Sequence, residues 1–277
     1  MLRLALALMA FGAMLVPTDR SESQEFTQQR ELSYADLADL ALGAPVVALA
    51  RVDRTRRVDE ERATGLRPNH VRYYVEAELL TLIRSANAVP ARVSYLVDMP
   101  LDGDGRRPRI RDRQVILLAM PVPGRRGELQ LIAPDAQLDW TEDRERTIRA
   151  LLSETASDDA PGTVTGVGNA FSVPGTLPGE SETQIFLATS DGRPVSLSIL
   201  RRPNQDPRWT VSLSEIVESA SPPPERNSLL WYRLACFLPE RLPEASMETT
   251  DRSQIAVARQ DYAMVISDLG PCTRYRS

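Results

Sequence analysis

Val71-Arg72-Tyr73-Tyr74-Val75-Glu76-Ala77-Glu78-Leu79 alternates with a period of two. Val71, Tyr73, Val75, Ala77 and Leu79 fall on one side, and Arg72, Glu76 and Glu78 on the other. Successive side chains of a strand point to opposite faces, so residues 71–83 are expected to form a long strand with one buried face. The flanking segments agree. Residues 45–52, 90–97, 114–120 and 129–133 are short apolar or alternating runs rich in β-branched residues. Residues 33–43 carry helical spacing, with Ser33 as the expected N-cap and Gly43 just past the end. Residues 141–154 do the same, with Thr141 as cap and Glu142 and Asp143 in the first turn, where the helix dipole favours acids. Residues 33–155 thus read as helix, five strands, helix. Five antiparallel strands of these lengths suit a small barrel of the OB type.

The polar stretch 157–162 is the expected boundary of this first domain. Residues 162–179 hold five of the chain's 14 glycines together with Pro174 and Pro178, and read as an irregular loop around a short strand. Residues 183–189, 194–201 and 208–214 read as strands, with Asp191-Gly192 as a hairpin turn. After Pro222-Pro223-Pro224, residues 227–238 and 251–269 read as helices, the second closed by Gly270-Pro271. The expected fold class is α+β and β-rich: a small OB-like antiparallel barrel over 33–155, then a β-hairpin region with two C-terminal helices over 161–277.

Residues 1–24 read as a signal peptide and lead-in. Arg3 precedes the apolar run Leu4–Val16, and Pro17-Thr18-Asp19-Arg20 follows. A short basic start, an apolar core and a polar exit are the parts of a secretory signal. The run is shorter than the roughly 20 residues that span a bilayer, so no transmembrane segment is expected in the mature chain. No cysteine follows it to carry a lipid. The expected location is periplasmic or secreted. An oxidising compartment and an even cysteine count make Cys236–Cys272 an expected disulfide. Closing that loop stabilises a fold by about 3–4 kcal/mol on the chain-entropy view.

The chain of 277 residues contains no lysine; all 33 basic residues are arginine. The net charge of −5 is uneven. Residues 51–126 hold 16 arginines and 10 acids, while residues 127–277 hold 14 arginines and 22 acids. Nucleic-acid readers combine a strongly basic domain with base-reading aromatics; here the pI is about 5.2 and aromatics are 5%, so no nucleic-acid partner is expected.

Several chemistries lack their residues. Zinc needs several Cys or His, and the chain has one His and two Cys. No metal and no cofactor is expected. His70 is the only histidine available to a Ser–His–Asp triad, and no G-x-S-x-G elbow is present. Asp98, Asp102 and Asp104 with Gly103 and Gly105 only partly match a calcium loop, whose order and terminal glutamate fail. Gly166-Val167-Gly168 lacks the third glycine of a dinucleotide motif. Two ligand-binding candidates remain. Phe171, Glu180, Glu182 and Gln184 surround the glycine-rich segment. Arg107, Arg109 and Arg111 belong to one of two arginine-rich loops, the other carrying Arg54, Arg56, Arg57 and Arg62. Loops that meet at one barrel end would attract anions.

Residues 44–52, 74–80 and 112–119, taken in order and spacing, resemble the netrin/tissue-inhibitor-of-metalloproteinase type of OB domain over about 33–155. The resemblance implies a fold. It brings no functional residue, because the N-terminal cysteine that carries inhibition in that family has no counterpart here. The whole chain also resembles uncharacterised exported proteins of Gram-negative bacteria. The expected function is a non-catalytic binding or envelope-associated module, with an anionic envelope component or another protein as partner. The alternative is an extracytoplasmic hydrolase using carboxylate or serine chemistry around 162–184, where Ser181 lies between Glu180 and Glu182.

Overall fold

The computed structural model describes residues 32–214, 220–247, 249 and 251–276. The apolar run 4–16, read above as an export signal, lies outside the described residues. Chain order runs α1 (Tyr34–Gly43), β1 (Val46–Arg57), β2 (His70–Arg84), β3 (Arg92–Pro100), β4 (Gln114–Pro121), β5 (Leu129–Leu131), β6 (Gln137–Asp139), α2 (Glu142–Thr155), β7 (Val164–Pro174), β8 (Ser181–Thr189), β9 (Val195–Arg201), β10 (Arg208–Ser212), α3 (Leu229–Ala235) and α4 (Arg252–Leu269). The fold is α+β and β-rich, with two antiparallel sheets.

The first sheet has the order β3-β2-β1-β4-β5, with β6 also paired to β4. β1 lies between β2 and β4, which is why Val46–Ala50 are buried without alternation before Arg51–Arg57 turn mostly outward. Three register shifts against β2 bend it. β2 shows the expected alternation: Val71, Tyr73, Val75 and Ala77 are buried. α1 begins with a full capping box, Asp36 N–H donating to Ser33 Oγ at 3.0 Å and Ser33 N–H to Asp36 Oδ2 at 2.9 Å. Gly43 is the last helical residue rather than the residue beyond.

β3 and β5 approach each other in parallel. Ser94 N–H donates to Gly127 O at 2.9 Å and Asp98 N–H to Pro134 O at 2.8 Å, but only Ser94 and Glu128 form a bridge. No continuous ladder closes the sheet, so strand pairing alone does not make it the expected barrel.

The second sheet is a meander, β7-β8-β9-β10. β7 runs 11 residues where the glycines suggested a loop around a short strand. Its register shifts skip Thr165 and Gly168, so Gly168 is a bulge residue and Gly166 pairs with Ala188 beside the other bulge, both within one strand. The Asp191-Gly192 hairpin forms, with Gly192 at φ 71°. α4 packs on β7 and β8, and its Ala258, Tyr262 and Val265 are buried. Cys236, at the end of α3, and Cys272, past the end of α4, are joined by a disulfide with a Cα–Cα distance of 5.0 Å. The buried side chains of both sheets and all four helices belong to one continuous cluster. Among the described residues, no helix is long and apolar enough to cross a membrane.

Candidate functional site

The two arginine-rich loops meet at the far end of the first sheet. Arg57 ends β1 and pairs in register with Tyr73 of β2. The 101–113 loop returns to the same place. Leu101 N–H donates to Asn69 O at 2.8 Å, Asp112 N–H to Val52 O at 2.8 Å, and Ile110 is buried at 2% exposure. Between these anchors the Tyr73 hydroxyl donates to Pro108 O at 3.3 Å. Burial pushes the Tyr73 phenol up, while Arg107 and Arg57 both pull it back. One guanidinium from each loop therefore acts on the same hydroxyl.

The charge there is only partly neutralised. Arg57 Nη2 donates to Glu60 at 3.0 Å, and Glu60 is largely solvated. Arg106 pairs with Asp104 at 3.2 Å, and Arg111 with Asp112 at 3.9 Å. The Arg56 guanidinium lies over the Tyr74 ring, 5.1 Å from its centroid. Arg56, Arg107 and Arg109 form no ion pair among the described residues. Arg107 and Arg109 thus lie without an ion pair, among the described residues, in a loop where Arg106 and Arg111 are tied to neighbouring acids. Spacing indicated the two loops. It did not indicate Tyr73, whose alternation marks it only as a buried strand residue.

The second group of candidates divides. Phe171, Gln184 and Ser198 are register neighbours across β7, β8 and β9, so their side chains share one face. Gln184 Nε2 donates to Glu182 Oε1 at 2.6 Å and Ser198 Oγ to Gln184 Oε1 at 2.9 Å. The Phe171 and Phe186 rings lie 6.2 Å apart. Glu180 does not join them. Its Oε2 accepts from Thr176 N at 3.1 Å and Leu177 N at 3.3 Å, which fixes the β7–β8 turn. Ser181 is buried in the strand, opposite Pro174 and Arg201.

The remaining candidates have local roles. His70 Nδ1 contacts Pro68 O at 2.8 Å. Asp98 is 2% exposed and bound on both oxygens by Arg72, at 2.6 and 2.7 Å. Asp102 Oδ1 accepts from Asp104 N at 3.0 Å and Arg106 N at 2.6 Å, closing its own turn. Among the described residues, no group of three or more His, Cys, Asp or Glu is arranged to hold a metal ion.

A groove of about 630 Å³ runs along the β3–β5 seam, lined by Leu96, Leu129, Ile132 and Pro134 with the Arg72–Asp98 pair. A second groove, of about 480 Å³, is walled by charged residues including Arg51, Arg54, Glu76, Glu78 and Arg92. Arg51–Glu78 at 2.5 Å and Arg54–Glu76 at 3.8 Å neutralise much of that wall. No residue of 162–184 lines either groove.

Neither a protein-family model nor a curated protein matches the chain.

Proposed function

We propose that this chain is an exported, non-catalytic binding module. Its first sheet is an OB-like barrel whose arginine end takes a phosphate-bearing component of the cell envelope. The observation that carries the reading is that Tyr73, paired in register with Arg57, donates its hydroxyl to Pro108 O of the second arginine loop, with Arg56, Arg107 and Arg109 free of ion pairs among the described residues. An arginine cluster held on anchored loops raises the local concentration of anions and donates in the fork geometry that suits phosphate oxygens. Engaging Arg57 displaces only a solvated contact to Glu60, a pair worth less than about 1 kcal/mol. The barrel reading is supported by the order β3-β2-β1-β4-β5 and the parallel bridge that brings β5 back to β3. Export is supported by the run 4–16 and by the disulfide. The non-catalytic reading is supported by the turn contacts of Glu180, the Gln184 bond to Glu182 and the burial of Ser181.

Sedimentation of the full chain with vesicles tests this. Phosphatidylglycerol and phosphatidylcholine vesicles offer the same apolar surface to residues 4–16, so their difference isolates charge. The proposal expects binding to phosphatidylglycerol, weakened by added inorganic phosphate and by salt. Equal binding to both vesicles, unaffected by phosphate, would overturn it.

A further inference from the structure

The disulfide carries a feature that its structural role does not use. Arg274 lies two residues beyond Cys272, and its Nη1 reaches Cys272 Sγ at 3.2 Å. The other two nitrogens of the same guanidinium hold Asp39 of α1, Nε donating at 2.6 Å and Nη2 at 3.2 Å. Asp39 also accepts from the Tyr232 hydroxyl at 2.5 Å. Asp39 offsets part of the charge on Arg274, but the Nη1 N–H remains directed at the sulfur. Cys236 Sγ has no such donor among the described residues. Both cysteines are half-buried rather than sealed in the core.

Beyond Cys272 the chain forms a strap over α1. The Tyr275 and Arg276 backbone N–H groups donate to Asp36 at 3.0 and 3.1 Å, and Arg276 Nη2 donates to Asp135 at 2.6 Å. These contacts, with Arg274–Asp39, fasten residues 274–276, and the disulfide fixes where the strap begins.

We propose that Cys236–Cys272 is an exchangeable, asymmetric disulfide: Arg274 directs thiols to Cys236 and makes Cys272 the leaving thiolate, and opening it unlatches the C-terminal strap. In thiol–disulfide exchange the rate rises as the leaving thiol becomes more acidic. A neighbouring guanidinium stabilises a thiolate. The thiolate of a small dithiol attacks Cys236 Sγ, an S–S bond forms there, and the Cys236–Cys272 bond breaks with its electron pair on Cys272 Sγ. The second thiol of the reductant then attacks the mixed disulfide and releases Cys236. The dithiol ends as a disulfide, oxidised by two electrons, and its two protons pass through solvent to the two cysteines. The strap then keeps only its ion pairs and the two hydrogen bonds to Asp36.

The experiment opens the oxidised full chain with glutathione, alkylates free thiols with iodoacetamide, and locates both labels by peptide mass spectrometry. The expected product carries glutathione on Cys236 and the alkyl group on Cys272. That product should exceed the opposite one by about three-fold, because the more acidic thiol leaves faster. In Arg274→Gln the preference should vanish and opening should slow. Equal labelling in the unsubstituted chain, or a preference that survives in R274Q, overturns the direction of attack. The unsubstituted chain decides the matter alone if R274Q does not fold. Amide exchange reads the strap. Full reduction by dithiothreitol should speed exchange at Tyr275 and Arg276, now held only by their bonds to Asp36 and the ion pairs, and exchange no faster than in the oxidised chain would refute the unlatching.

Discussion

Arg201 of β9 donates through Nε to Asp261 of α4 at 2.5 Å, and Asp261 is wholly buried. Thr183 of β8 donates its hydroxyl to the other carboxylate oxygen at 2.5 Å. One carboxylate therefore ties α4 to two strands of the second sheet. Breaking a buried pair by removing one partner costs about 3–5 kcal/mol, because the other charge is stranded. Arg201 reaches some solvent, which limits the loss. Asp261→Ala should lower the free energy of urea unfolding by about 3 kcal/mol, and Thr183→Val by about 1 kcal/mol. A loss in D261A no larger than in T183V would show that the ion pair does not hold α4.

Arg84 closes the C-terminal end of α1 from the neighbouring strand. Its Nη2 donates to Ala41 O at 2.5 Å and also to Ala44 O. The last carbonyls of a helix are otherwise unpaired and carry its negative dipole end. Arg84→Ala should cost about 1–2 kcal/mol in thermal or urea unfolding. Arg84→Lys, which keeps one charge but not the fork, should recover part of it. Stability unchanged in R84A would contradict the capping role.

The strap should also respond to acid. Burial alone would raise the Asp36 carboxyl, but N–H donors from Tyr275, Ser33 and Arg276 and the Ser33 hydroxyl hold it below the ordinary range. A carboxylate depressed in the folded state stabilises fully above its unfolded pKa, about 3.9, and the stabilisation is lost as pH falls through the folded value. Protection of the Tyr275 and Arg276 amides should therefore be constant above about pH 5 and fall below about pH 4. In Asp36→Asn that acid limb should be missing. The same acid limb in D36N would assign it to another carboxylate.

Local pattern carried β1 to β5 of the first sheet and all four helices. β2 announces itself by alternation over 71–79, and Thr141 caps α2 as read, accepting from Arg144 N at 3.2 Å. β6 spans three residues, Gln137–Asp139, too few to show a period. β7 was obscured because Gly166 and Gly168 sit where the strand bulges against β8. The parallel approach of β3 and β5 depends on how far the first sheet coils, which no local signal encodes. The two cysteines showed where a staple could form, but Arg274 and Asp39 stand 235 residues apart, and nothing in either neighbourhood points to the other. At the arginine end, the loops were legible from composition. Their convergence was not, because it rests on Tyr73, a core residue by pattern whose hydroxyl emerges at the strand's end.

The central claim is that Arg57 and Arg107 act as one anion site. A double-mutant cycle of Arg57→Gln and Arg107→Gln, read in affinity for phosphatidylglycerol vesicles, tests it most directly. Two independent surface charges give additive losses within about 0.3–0.5 kcal/mol. A shared ligand makes the second loss smaller than the first, with a coupling of about 1 kcal/mol. The account predicts that coupling, together with unchanged thermal unfolding in all three variants. Additive losses, or affinity untouched in the double variant, would contradict it.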